Sequence, residues 1–221
     1  MSGGAVRAVV FDLDGTLVDT EAQWARAREA LTLRTGGAWR TGAHETMMGM
    51  SSTEWTVYMH EELTVPLSPP EILEAIVDEL GALFGLELPL LPGALEAVDA
   101  AATVGPLAVA SSSPAALIDL VLDLAGVRER FATVLSSEDV PRGKPSPDVF
   151  LEACARLGVA PHEATAVEDS QAGLEAALDA GMRVVAVPSP HFPPADAVLA
   201  RADVVLDTIE ALSPAVLRGD A

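Results

Sequence analysis

Six short apolar runs punctuate the chain: "AVRAVVF" at 5–11, "PLAVAS" at 106–111, "TVLSS" at 133–137, "ATAVED" at 164–169, "RVVAVP" at 183–188 and "ADVVLD" at 202–207. Continuous apolar runs of this length, several of them rich in Val, read as strands buried on both faces. Helical patterns lie between the later runs: "GALEAVDAAATV" (93–104), "PAALIDLVLDLAGV" (114–127), "PDVFLEACARLGV" (147–159) and "QAGLEAALDAGM" (171–182). From about residue 90 strand and helix alternate to the end, which predicts a parallel sheet with helices on both faces. The Pro-rich "PSPHFPPAD" (188–196) reads as a loop.

Between about 19 and 89 the pattern changes. "TEAQWARAREALTLRTG", "GAHETMMG", "STEWTVYMHEEL" and "PPEILEAIVDELGALFG" read as helices, with no strand among them. Ser51 and Ser68 each precede a glutamate by three positions, Glu54 and Glu71, a helix-start signal. "LPLLPG" at 88–93 reads as the return to the sheet. The predicted architecture is α/β: a doubly wound, Rossmann-like parallel core from 1–18 and 90–221, with an all-helical unit at 19–89 inserted after the first strand.

Composition bounds the rest. The 221 residues are half apolar, enough for one good-sized core or a core plus a small insert. A formal net charge of −20 repels nucleic acid and anionic membranes, so neither is an expected partner. The single cysteine, Cys154, allows no internal disulfide, and no apolar stretch approaches the roughly 20 residues of a membrane span. The opening "MSGGAVRAVVFDLDG" lacks a long apolar region, so no signal peptide is expected. A cytoplasmic monomer acting on a small metabolite is the expectation. Lys144 is the only lysine in the sequence.

Ligands of an open α/β sheet bind beyond the carboxyl ends of its strands. The unusual polar clusters fall there: Asp12 and Asp14 after the first run, Ser111-Ser112-Ser113 after the second, Lys144 beyond the third, and Glu168-Asp169 at the end of the fourth. Asp12, Asp14, Glu168 and Asp169 would converge on one crevice, where carboxylates repel by several kcal/mol at low effective dielectric. Some are protonated, or a cation holds them. Hard oxygen ligands favour Mg²⁺. Lys144, the serine hydroxyls and the N–H groups at the start of the following helix complete a phosphoryl site. One aspartate then attacks as a nucleophile and the other, two residues on, protonates the leaving group and activates water.

These residues resemble the haloacid dehalogenase-like superfamily of phosphohydrolases. "FDLDGTLVDT", "ASSS", "KPSPDVF" and "VEDSQAG" are similar to its four motifs in order and spacing, over essentially the whole chain. A helical insert after the first motif is similar to the small cap of the beta-phosphoglucomutase-like branch. The resemblance implies Asp12 as nucleophile and Mg²⁺ ligand, and Asp14 as general acid/base that lends the metal its backbone carbonyl. It implies Thr16 in the phosphate site and in positioning Asp14, Ser111 with backbone N–H around Ser112 on the transferring phosphate, and Lys144 on nucleophile and phosphate. Asp169 is then a metal ligand and Glu168 a direct or water-mediated one.

Dehalogenases of the superfamily lack the second aspartate, so Asp14 argues for phosphoryl transfer. The implied activity is Mg²⁺-dependent hydrolysis of a small phosphate monoester, a sugar phosphate or similar metabolite, through an aspartyl-phosphate. The alternative is a sugar phosphomutase of the beta-phosphoglucomutase type. Such mutases carry an arginine for the second phosphate where this chain has Ser52, and a polar or basic residue where it has Pro114. Both departures favour the phosphatase.

Other residues carry blander expectations. Ser113 is expected as the cap of the helix that follows it. His44, His60 and His162 are expected to be solvated or packed, and His191 is the one histidine placed near the active end of the sheet. Trp24, Trp39, Trp55, Tyr58 and the methionines 47, 48 and 50 are expected in the core of the insert, some of them facing the cleft. Cys154 is expected in the main core.

Overall fold

The computed structural model describes residues 5–48, 50–190 and 192–220. All six apolar runs contribute strands: β1 (Ala8–Phe11), β2 (Leu107–Ser111), β3 (Phe131–Ser136), β4 (Ala164–Glu168), β5 (Arg183–Ala186) and β6 (Val204–Val205). They form one sheet in the order β3-β2-β1-β4-β5-β6, parallel throughout. This is the doubly wound order, with its switch point beside β1.

Between β1 and β2 run α1 (Glu21–Arg34), α2 (Ala43–Met47), α3 (Ser52–Glu61), α4 (Pro69–Leu86) and α5 (Ala94–Ala102). The later crossovers hold α6 (Ala115–Leu124), α7 (Asp148–Leu157) and α8 (Gln171–Asp179). Two single-turn helices, α9 (Asp196–Leu199) and α10 (Pro214–Arg218), were not legible from periodicity, which needs more than one turn to show.

Successive strand residues point to opposite faces, and this divides the core in two. Val9, Phe11, Val109, Val167 and Val185 share one face with buried residues of α5 and α6. Ala8, Val10, Ala108, Ala110, Ala166 and Ala186 share the other with α7 and α8. The second face is mostly alanine, whose small side chains suit close helix-on-sheet packing.

The helices between β1 and α5 form their own apolar centre. Trp24, Leu31, Trp55, Met59, Ile76 and Phe84 are buried and continuous with the first core. Both predicted helix starts are made. The Ser51 hydroxyl accepts from the Glu54 N–H, and the Glu54 carboxylate accepts from the Ser51 N–H at 2.8 Å. Ser68 N–H and hydroxyl both donate to Glu71. The chain leaves and re-enters the sheet through two segments lying side by side: Asp19 N–H donates to Pro89 O at 2.8 Å, and Leu91 N–H to Leu17 O at 3.0 Å. Among the described residues no helix is long and apolar enough to cross a membrane.

Candidate active site

Asp12 continues β1 beyond its last residue, donating its N–H to Val167 O of β4 at 3.0 Å. The chain then turns at Gly15, where φ is +88°, a conformation that favours glycine. A Cβ at Gly15 would also fall on the Asp169 carboxylate. The glycine therefore lets the loop after β1 close over the acid at the end of β4. Thr16 is fully buried behind them, and its hydroxyl donates to Asp169 Oδ1 at 3.3 Å. The sequence had placed Thr16 on the phosphate and on Asp14. Its side chain instead points down to Asp169, because the turn carries it under the loop rather than over it.

Lys144 ties three strand ends together. Its Nζ donates to Asp12 Oδ1 at 2.5 Å and to Glu168 Oε1 at 2.8 Å, and lies 4.9 Å from the centre of the Phe150 ring. All three charged groups are buried. Burial alone would lower the lysine pKa, but the Asp12 and Glu168 carboxylates outweigh it and hold the ammonium above its ordinary value. Asp12 is pushed up to about 7, chiefly by burial, with Lys144 opposing and Glu168 and Asp14 adding repulsion. Asp169 is raised well above its ordinary value by burial and then by its neighbours Glu168 and Asp12.

Glu168 has both oxygens engaged. Oε1 takes Lys144, and Oε2 accepts from Ser170 N–H at 2.7 Å and from its hydroxyl at 3.0 Å. It lies against Gly173 of α8, where a Cβ would overlap the carboxylate. Asp12, Glu168 and Asp169 each present an oxygen, all within 4.8 Å of one another. When all three carboxyl groups are ionised, one ammonium leaves two negative charges uncompensated. A divalent cation with a preference for oxygen fits that balance and that donor set.

Asp14 is held differently. Thr20 donates to its Oδ1 at 2.6 Å and Trp24 Nε1 to the same oxygen at 3.3 Å, both at the start of α1. Ser113 donates to Oδ2 at 2.7 Å and Ser111 at 3.4 Å. Ser113 is thus not the cap of α6. Pro114 occupies that place with no side-chain cap, and the Ser113 hydroxyl is drawn to the carboxylate. Ser111 Oγ meanwhile accepts from the Ser113 N–H at 3.0 Å.

A cavity of about 410 Å³ opens between the strand ends and the helical segment. Of the predicted site residues, Asp12, Asp14, Ser111, Ser112, Lys144 and Asp169 line it, while Thr16 and Glu168 sit behind. From the helical side come Trp24, Trp55 and the methionines 47, 48 and 50, whereas Trp39 and Tyr58 pack elsewhere on the core. Ser52 is buried at the start of α3 and is not among the lining residues. His44 is packed with Nε2 2.9 Å from Glu21 Oε2, and His60 Nδ1 lies 2.8 Å from Leu67 O. His191 lies outside the described residues. Cys154 is buried, and burial raises its thiol to about 11.

The sequence reading missed Thr20, Ser113 and Trp24 as partners of Asp14. It also missed Arg28, which is buried and lines the cavity. A signal existed: positions 20, 24 and 28 recur at helical spacing, from the N-cap along one face of α1.

A family model described as haloacid dehalogenase-like hydrolase matches residues 6–181. Hexitol phosphatase B of Escherichia coli K12 is 33% identical over 220 residues, covering 97% of each chain. The crystal structure of CbbY from Rhodobacter sphaeroides in complex with phosphate superimposes with a TM-score of 0.85 at 29% identity, covering 94% of this chain and 96% of that one. The phosphorylated carbohydrates phosphatase of Thermotoga maritima is 29% identical over 178 residues, covering 80% of this chain and 82% of its own.

Proposed function

The chain belongs to the haloacid dehalogenase-like hydrolases, and on that premise we propose that it is a Mg²⁺-dependent phosphatase of small phosphate monoesters, sugar phosphates or close relatives. The observation that carries this reading is the contrast between its two acids. Asp12 faces an ammonium, as a nucleophilic carboxylate should, and Asp14 faces hydroxyls and an indole N–H. Two carboxyl groups two residues apart thus have environments suited to different roles. The relatives named as a hexitol phosphatase and a phosphorylated carbohydrates phosphatase support the substrate class.

Asp12 attacks phosphorus with a carboxylate oxygen. The ester P–O bond breaks, and the leaving oxygen takes a proton from Asp14. Asp14 then takes a proton from a water whose oxygen attacks the aspartyl-phosphate, releasing phosphate and restoring Asp12. Lys144 keeps the nucleophile in line and, with the Ser111 hydroxyl and the backbone around Ser112, faces the phosphoryl oxygens. Asp12, Asp169, Glu168 and the Asp14 backbone carbonyl would hold Mg²⁺. Once bound, the ion neutralises phosphoryl charge. In this reading residues 19–89 act as a cap over a core of 1–18 and 90–221. Closure of the cap excludes bulk water during transfer.

The test is phosphate release from a panel of sugar, nucleotide and small-acid phosphates, in Mg²⁺ and in EDTA. Metal-dependent turnover that disappears in Asp12→Asn is the expected result. No release from any member, with isomerisation of a hexose 1-phosphate once a bisphosphate primer is added, would replace this reading with the mutase.

A further inference from the structure

Arg28 is the feature of the cavity that the phosphoryl chemistry leaves unexplained. It projects from the middle of α1 and is only 6% exposed. Its guanidinium carbon lies 4.6 Å from the centre of the Trp24 ring and 5.1 Å from that of Trp55, two indoles that meet edge to face. Among the described residues no carboxylate comes within ion-pair distance of it, and its buried Nε has no hydrogen-bond partner. Arg28 lines the cavity.

A buried guanidinium left without an anion is costly, and cation–π contacts offset only part of that desolvation. Burial lowers Arg28 to about 10, against the pull of Glu21 and Asp14, so it stays charged at neutral pH. Lys144, the other cationic side chain among the described residues lining the cavity, is already engaged by two carboxylates. In a chain of net charge −20, an arginine whose donors remain unused inside the substrate cavity has the form of an anion receptor. The Trp walls also fix the plane of the fork, so little side-chain freedom is lost when a ligand binds.

We propose that Arg28 is a specificity-determining residue for the leaving-group end of the substrate, and that it selects phosphate esters carrying a second oxyanion, carboxylate or phosphate, on the part that leaves. This rests on the phosphatase reading and narrows its substrate class. It also supplies from α1 the cationic grip that the sequence lacks at Ser52.

The test compares three esters on one six-carbon chain: a hexitol 6-phosphate with a neutral far end, the 6-phosphate of the corresponding aldonic acid, and the hexitol 1,6-bisphosphate. Wild-type enzyme should show the higher kcat/KM on at least one of the two anionic esters, and which one identifies the oxyanion. Arg28→Gln should lower kcat/KM on that ester by roughly 10- to 100-fold, mostly through KM, the range for a lost charge-assisted hydrogen bond. The loss on the neutral ester should be clearly smaller, since there only the packing against Trp24 is disturbed, and Arg28→Lys should recover part of the loss on the anionic ester. Equal losses on all three esters in Arg28→Gln, or wild-type preference for the neutral ester, would overturn the assignment. The wild-type ranking needs no variant, so a poorly folding substitution does not shield the proposal. Failure of wild-type enzyme on every ester would instead strike the phosphatase reading itself.

Discussion

Thr20 donates its hydroxyl to Asp14 Oδ1 at 2.6 Å. Thr20 occupies the N-cap position of α1 yet makes no side-chain cap bond there. The hydroxyl that could have closed the helix is used to aim the second acid. The link joins the first turn of the helical segment to the loop after β1, so the segment's position and the orientation of Asp14 are one geometric fact.

Thr20→Val keeps the shape and removes the donor. Because no helix cap is lost with it, the stability change should be small, about 1 kcal/mol or less. The rate should fall more, by roughly tenfold in kcat, since a misaimed acid–base group forfeits part of the 10²–10⁴-fold such groups contribute. Steady-state kinetics beside a thermal melt separates the two. A variant that melts several degrees lower at an unchanged rate would mean that the bond is structural only.

Gly173 sits where α8 passes the Glu168 carboxylate. Gly→Ala inside a helix ordinarily gains about 0.5–1 kcal/mol. Here the added methyl would displace Glu168 and with it one of the two anchors of Lys144. Gly173→Ala should therefore destabilise by about 1–3 kcal/mol, the range for overpacking, and slow the enzyme. Chemical denaturation gives the sign directly, and a stabilised variant would contradict the packing described.

The buried acids predict how metal and pH combine. The folded pKa of Asp12, about 7, lies above its ordinary 3.8, so without metal the folded state binds the extra proton. The stability this contributes is complete below about pH 3.8 and is lost as pH rises towards 7. Asp169 is shifted in the same direction. A divalent cation competes with those protons, so the gain in Tm from Mg²⁺ over EDTA should be larger near pH 8 than near pH 5.5. At saturating metal it should be on the order of 5–10 °C, from about 2.7 kcal/mol of binding linkage in a chain of this size. Asp169→Asn should abolish most of it. An equal Mg²⁺ shift at both pH values would contradict this account of the cluster.

Much of the site was legible because its residues are close in sequence to strand ends. Asp12, Asp14 and the Glu168-Asp169 pair sit at the ends of apolar runs, and topology alone brings such ends together. Lys144 stood out as the only lysine, set between Gly143 and Pro145. What stayed hidden depends on tertiary direction. A hydroxyl at Ser113 can cap a helix or reach a carboxylate, and only the position of Asp14 decides between them. Thr16 likewise turned to Asp169 because of the path of the Gly15 turn. Arg28 is one of three arginines on α1, with Arg26 and Arg34. It becomes a buried cation only when α3 brings Trp55 against Trp24. The single turns α9 and α10 are too short to carry a period, although Ser213 before Pro214 is a start signal that the fold uses.

The central claim is that the phosphoryl group rests on Asp12 before water takes it. The stereochemical course at phosphorus tests this most directly, with a thiophosphate ester made chiral by two oxygen isotopes as substrate and water carrying the third isotope. Two in-line displacements, the first by Asp12 and the second by water, predict retention of configuration in the thiophosphate released. Inversion would mean that water attacks the ester in a single step, and Asp12 would then not be the nucleophile.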